Sequence, residues 1–148
     1  MPSRFKDAIE FVCKETFEEI GSDRFTRGRV KDRGVDVIAW IPFADDRPGQ
    51  VVLLIQCAIG KDWDKKAGDI KIPQWDDMIR WKACPIIAVA FPFVCLDQNK
   101  WKMTSHTYRC ILFDRLRLTA ILSIELGSPL GRQIQGWISD QSKKLPHQ

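Results

Sequence analysis

Two apolar segments, residues 35–41 and 50–57, constrain this chain most. The second runs Val-Val-Leu-Leu-Ile into Gln56 and is almost continuously apolar, as expected of a central strand covered on both faces. Between them lies Asp45-Asp46-Arg47-Pro48-Gly49. Proline fixes φ and glycine accepts positive φ, so Pro48-Gly49 predicts a turn and the two segments predict a hairpin. Residues 85–91, Pro-Ile-Ile-Ala-Val-Ala-Phe, predict a further buried strand, and 108–113 another.

Helical spacing surrounds these strands. Phe5, Ala8, Ile9, Val12, Cys13, Phe17 and Ile20 recur on one face, which predicts a helix over 4–20 capped by Ser3 and stopped by Gly21. Glu15, Glu18 and Glu19 fall on its solvated side. The pattern over 63–81 is helical but interrupted by Pro73, so it predicts two short helices or a kinked one. The stretch with Asp97, Gln98, Asn99 and Trp101 reads as a loop, 116–126 as a short helix, and 128–144 as a C-terminal amphipathic helix with Pro129 in its first turn. This order of elements predicts an α/β/α sandwich with a central mixed sheet. A length of 148 residues predicts a single domain over 1–148.

The hairpin brings chemistry together. Asp36 heads one strand, Gln56 ends the next, and Lys61 follows shortly after. Strand ends joined by a turn lie side by side. A carboxylate, an amide oxygen and an ammonium in one small space suit metal-dependent phosphodiester hydrolysis: the oxygens hold a divalent cation and the lysine orients the water. The plainer account is an ordinary hairpin with polar ends.

Asp36 and Gln56 also carry a resemblance. Gly34-Val35-Asp36 and Ile55-Gln56-Cys57 resemble the Gly-x-Asp and Gln-x-Lys elements of the PD-(D/E)xK nuclease superfamily, in branches similar to type IV restriction endonucleases. The resemblance covers roughly residues 4–91. It implies a restriction-endonuclease-like fold and metal-dependent cleavage of nucleic acid, most often DNA, in an antiviral defence or restriction setting. It further implies Mg²⁺ or Mn²⁺ held by Asp36, Gln56 and the Cys57 carbonyl, with the Cys57 thiol turned into the core. Glu10, ahead of Gly21, matches the carboxylate that relatives carry on the first helix, which implies that it binds a second cation or orders the water, although Ile9 stands where they have phenylalanine. The chain departs from the pattern at Ala58, where the family has its lysine. Either the charge has moved, to Lys61 or to Lys65 or Lys66, or catalysis is lost and the domain binds nucleic acid or scaffolds a complex.

Other side chains are weaker candidates. Arg27, Arg29, Lys31 and Arg33, with Arg24, form a basic strip before Asp36: a phosphate-tracking lip or a soluble charged loop. Trp63, Lys65 and Lys66 lie where a cleft wall, a base-stacking ring or backbone contacts would be. Asp114-Arg115 reads as an internal ion pair. A net charge of +4 permits an anionic partner without requiring one. So small a domain implies a dimer partner or other subunits for specificity. Five cysteines without metal spacing, no apolar signal core and no membrane-length run point to buried free thiols, no membrane association and a cytoplasmic setting. No motif supports a small-molecule enzyme.

Overall fold

The computed structural model describes residues 4–22, 33–121, 129, 131–133 and 136. The chain divides into two compact units, Met1–Arg115 and Leu116–Gln148.

In the first unit, helix α1 spans Phe5–Thr16 and buries Ile9, Val12, Cys13 and Thr16. It ends earlier than its apolar spacing predicts. Thr16 Oγ1 donates back to the Val12 carbonyl at 2.7 Å, and Phe17 takes a left-handed conformation, φ 60°, that closes the last turn. Glu19–Ile20 then forms strand β1, antiparallel to β4 at Ile79–Arg80. Gly21 therefore serves a strand crossing and not a helix stop. Its N–H donates to the Met78 carbonyl at 2.7 Å, and a Cβ there would lie 2.1 Å from the Asp77 carbonyl oxygen.

Strands β2 (Val37–Ile41), β3 (Val51–Cys57), β5 (Ile86–Ala90) and β6 (Ile111–Phe113) form a mixed sheet in the order β2-β3-β5-β6. β2 and β3 are antiparallel; β3, β5 and β6 run parallel. The hairpin loop turns at Gly49, φ 86°, and buried Gln50 braces it by accepting from the Phe43 N–H at 2.6 Å. Pairing of Leu54 with Ile87, Gln56 with Val89 and Val89 with Leu112 puts these residues on one face of the sheet. Val52 and Leu54 pack there with α1, Trp75 and Met78. Val89 and Leu112 pack with Trp63, Ala67 and Phe91. On the other face, fully buried Ala88 sits among half-buried Ile55 and Ile111.

Residues 63–81 divide into a 3₁₀ segment, Trp63–Asp69, a short helix α2, Ile72–Asp76, and β4. Pro73 falls in the first turn of α2, where its missing N–H costs nothing. The predicted loop after 97 is instead helix α3, Gln98–Tyr108, opened by the Asp97 carboxylate accepting from the Asn99 and Lys100 N–H groups. Asp114 is buried, and its Oδ2 accepts from the Cys95 N–H at 3.4 Å.

Glu18, expected on a solvated face, is 7% exposed. Its two carboxylate oxygens accept from the Gly49 N–H at 2.9 Å and the Lys82 N–H at 3.0 Å. It thus ties the end of α1 to the hairpin turn and to the segment before β5. Glu18→Gln keeps one acceptor and turns an amide N–H₂ toward a backbone donor. Chemical denaturation should show a loss of about 2 kcal/mol; an unchanged midpoint would mean that the brace is dispensable.

Helix α4 spans Arg115–Ile121, and residues 129, 131–133 and 136 of the second unit are helical, in agreement with the predicted helices. The rest of those two segments lies outside the described residues, as do Ser3, Arg24, Arg27, Arg29, Lys31 and Trp137. None of the described helices is long and apolar enough to cross a membrane.

Candidate functional site

The chain enters β2 through two left-handed residues, Arg33 at φ 46° and Gly34 at φ 77°. The Arg33 guanidinium donates to the Gln74 carbonyl, so this member of the basic strip is tied to α2. Gly34 is required by space as well as by φ: a Cβ there would lie 3.0 Å from the Asp69 backbone. Two residues later the Asp36 N–H donates to the Ile55 carbonyl at 2.9 Å. The β2–β3 ladder ends here, while β3 continues to Cys57. The Asp36 carboxylate takes over, its Oδ2 accepting from the Cys57 N–H at 2.7 Å.

Gln56 projects on the covered face of the sheet. With its amide oriented to satisfy its neighbours, Nε2 donates to the Gly34 carbonyl at 2.9 Å and the Lys66 carbonyl at 3.1 Å. Both amide hydrogens are then committed, and the amide oxygen takes the side that faces donors. Gly34, Asp36, Gln56 and Cys57 therefore converge at the carboxyl end of β3, as the hairpin reading expects. In open sheets with parallel strands this end is where ligands bind.

The lysines are placed unequally. Lys61 is exposed in the turn after β3. The Lys65 ammonium pairs with Asp62 at 3.2 Å, and that partner pushes its pKa up. Lys66 pairs with Asp69 at 3.2 Å, while its backbone carbonyl is held by Gln56. Among the described residues, Asp36 has no ion pair with any of the three. Lys66 is the one whose main chain is fastened to the site, and its partner Asp69 lies against Gly34. Neither Lys66's attachment nor Asp69's position has a sequence signal, because both depend on the 3₁₀ segment folding back over the strand end.

Glu10 is exposed on α1 and pairs with Lys6 one turn earlier, at 3.4 Å. The described residues hold no group of three or more His, Cys, Asp or Glu side chains placed to share an ion. Cys57 corrects the expected inward thiol: strand alternation puts it opposite Gln56, and the residue is exposed. Partial burial, then the Asp36 charge, push its pKa up, which makes it a poor nucleophile. Of the five free cysteines only Cys13 and Cys110 are buried. In Cys13, burial, followed by Glu18, raises the thiol to about 11.

Trp63, expected at a cleft wall, is core, 5% exposed with its ring centroid 4.4 Å from that of Phe91. Lys100 covers its ring at 5.2 Å and pairs with Asp64 at 3.1 Å. Ala58, where the resemblance puts a lysine, is also core, 3% exposed beside Trp63 and Ala67. No protein-family model, curated protein or solved structure matches this chain.

Proposed function

We propose that the protein is a metal-dependent nuclease with a restriction-endonuclease-like sandwich fold, hydrolysing phosphodiester bonds in DNA at the carboxyl end of β3. The observation that carries this reading is the 2.7 Å bond from the Cys57 N–H to Asp36 Oδ2, which joins the Gly-x-Asp and Gln-x elements at one point. The donor set suits Mg²⁺ or Mn²⁺: Asp36 carboxylate, Gln56 amide oxygen and Cys57 carbonyl are all oxygens, as hard cations require. One carboxylate is few, so substrate phosphate would complete the shell. When bound, such an ion lowers the pKa of a coordinated water and neutralises charge on the phosphate.

The chain's own groups have separate tasks. Asp36 supplies the negative charge and is aimed by the Cys57 N–H. Gln56 is aimed by the Gly34 and Lys66 carbonyls. Lys66, released from Asp69 when a phosphate approaches, orients the nucleophilic water and stabilises the developing charge. This places on Lys66 the role that the sequence assigns to Lys61. Arg33 and Lys65 stay at the margin, as contacts to a DNA backbone, and Glu10 as a contact to a second subunit.

Plasmid cleavage in Mg²⁺ or Mn²⁺, with a chelator control, tests the proposal. Wild type should nick or linearise plasmid only with metal. Lys66→Ala should lose about 100-fold or more in rate, and Lys61→Ala only a few-fold, in line with a peripheral charge. Equal rates for all three proteins would place the activity elsewhere. Buried Ala58 favours a second reading, a nuclease-like module without catalysis, and metal-independent DNA binding with no cleavage would support it.

A further inference from the structure

Beside Asp36 the surface sinks into a cavity of about 540 Å³ between α1 and β2. Among the described residues, four aromatic rings line it, Phe5, Phe11, Trp40 and Trp75, and Asp36 is the one charged wall. Phe5 meets Trp75 edge-on at 6.3 Å, and Phe11 meets Trp40 edge-on at 6.4 Å. The described lining offers no cation to a polyanion. A nucleic-acid backbone brings phosphates, and the groove offers them apolar carbon and a repelling carboxylate.

Three features describe what it does suit. Its volume is within the range of small-ligand pockets, about 300–1,000 Å³. Its rim leaves large apolar groups in water, with Phe11 44% and Val37 45% exposed, which a ligand would cover. Its charged group, Asp36, is complementary to a cationic head. Asp36 carries a carboxylate whose Oδ2 is bonded to Cys57. The Trp75 ring contributes an apolar wall, its indole N–H lying out of reach of solvent.

We propose that this groove binds a small amphipathic monocation: an aromatic or aliphatic body seated among the rings, with an ammonium group paired to Asp36. This goes beyond the nuclease reading and does not depend on it, since neither metal nor DNA is needed for the ligand to bind. The two readings meet only at Asp36, where a bound amine would exclude a metal ion.

The test uses the full chain in chelator, with 4-phenoxybutylamine and its acid counterpart 4-phenoxybutyrate as probes. Both have the same aryl ether body and differ in the sign of the head group. Titration is followed by tryptophan fluorescence and by the indole N–H resonances. The amine should saturate with a Kd on the order of 0.1 mM, a fair value for a ligand of this size. It should bind about tenfold more tightly than the acid, because Asp36 attracts one head group and repels the other. The Trp75 indole resonance should shift. Asp36→Asn should bring the two affinities together, and Ala8→Trp, which fills the groove from α1, should abolish binding with helical content unchanged. No saturable binding by the wild type, or equal affinity for amine and acid, overturns the proposal whatever the outcome of the cleavage assay.

Discussion

Asp36→Asn should leave a folded protein that no longer cleaves DNA, with a rate at least about 10³-fold below wild type. Asparagine is close to isosteric and keeps an oxygen to accept from the Cys57 N–H, now 2.7 Å from Oδ2. Stability should therefore stay within about 0.5 kcal/mol of wild type, the usual range for an exposed substitution. What is lost is the negative charge, the only formal charge among the proposed cation ligands. Asp36→Ala should lose the same activity and a further about 1–2 kcal/mol, because the Cys57 N–H then has no partner at the end of the ladder. Unfolding curves separate the two variants; cleavage rates alone do not. A fully active Asp36→Asn protein would remove this strand end from the mechanism.

Ala58→Lys should destabilise the protein by about 3–5 kcal/mol and should not restore activity. The family's usual lysine position is here a core site, 3% exposed and packed among Trp63, Ala67 and Phe91. Its N–H donates to the Ala90 carbonyl at 2.8 Å, which holds the segment against β5. A lysine there must bury an ammonium among aromatic rings or push the 3₁₀ segment off the sheet. Either course disturbs Lys66 as well, since the Lys66 carbonyl is one of the groups that hold Gln56. Thermal unfolding should show the loss directly. A stable and more active Ala58→Lys protein would mean that the strand end is far more open than described.

The hairpin was the legible part of this site. Period-2 and continuous apolar patterns identify β2 and β3, and the Val37–Ile55 pairing brings Asp36 beside the end of β3. The backbone contact that fastens Lys66 to Gln56 was not legible. Lys61 is nearer in sequence, yet the 3₁₀ segment returns Lys66 to Gln56, and no spacing rule reports such a return. Glu18 misleads because an acid beside a helix reads as solvated, whereas the early left-handed turn at Phe17 carries it inward. The apolar spacing that continues through Phe17 and Ile20 belongs partly to β1. Helix α3 is hidden for another reason: it buries only Thr104, so it has little amphipathic pattern, and the Asp97 cap is its one clear signal. Trp63 shows that a ring close in sequence to a site can belong to the core beneath it.

Binding of Mn²⁺ measured by calorimetry, with and without a phosphorothioate DNA duplex, tests the central claim most directly. With one carboxylate among the proposed ligands, the protein alone should bind on the order of millimolar, and the duplex should tighten binding at least about tenfold by supplying phosphate oxygens. Asp36→Asn should abolish both heats while the fold is kept. Absence of Mn²⁺ binding by the wild type under both conditions would contradict the account.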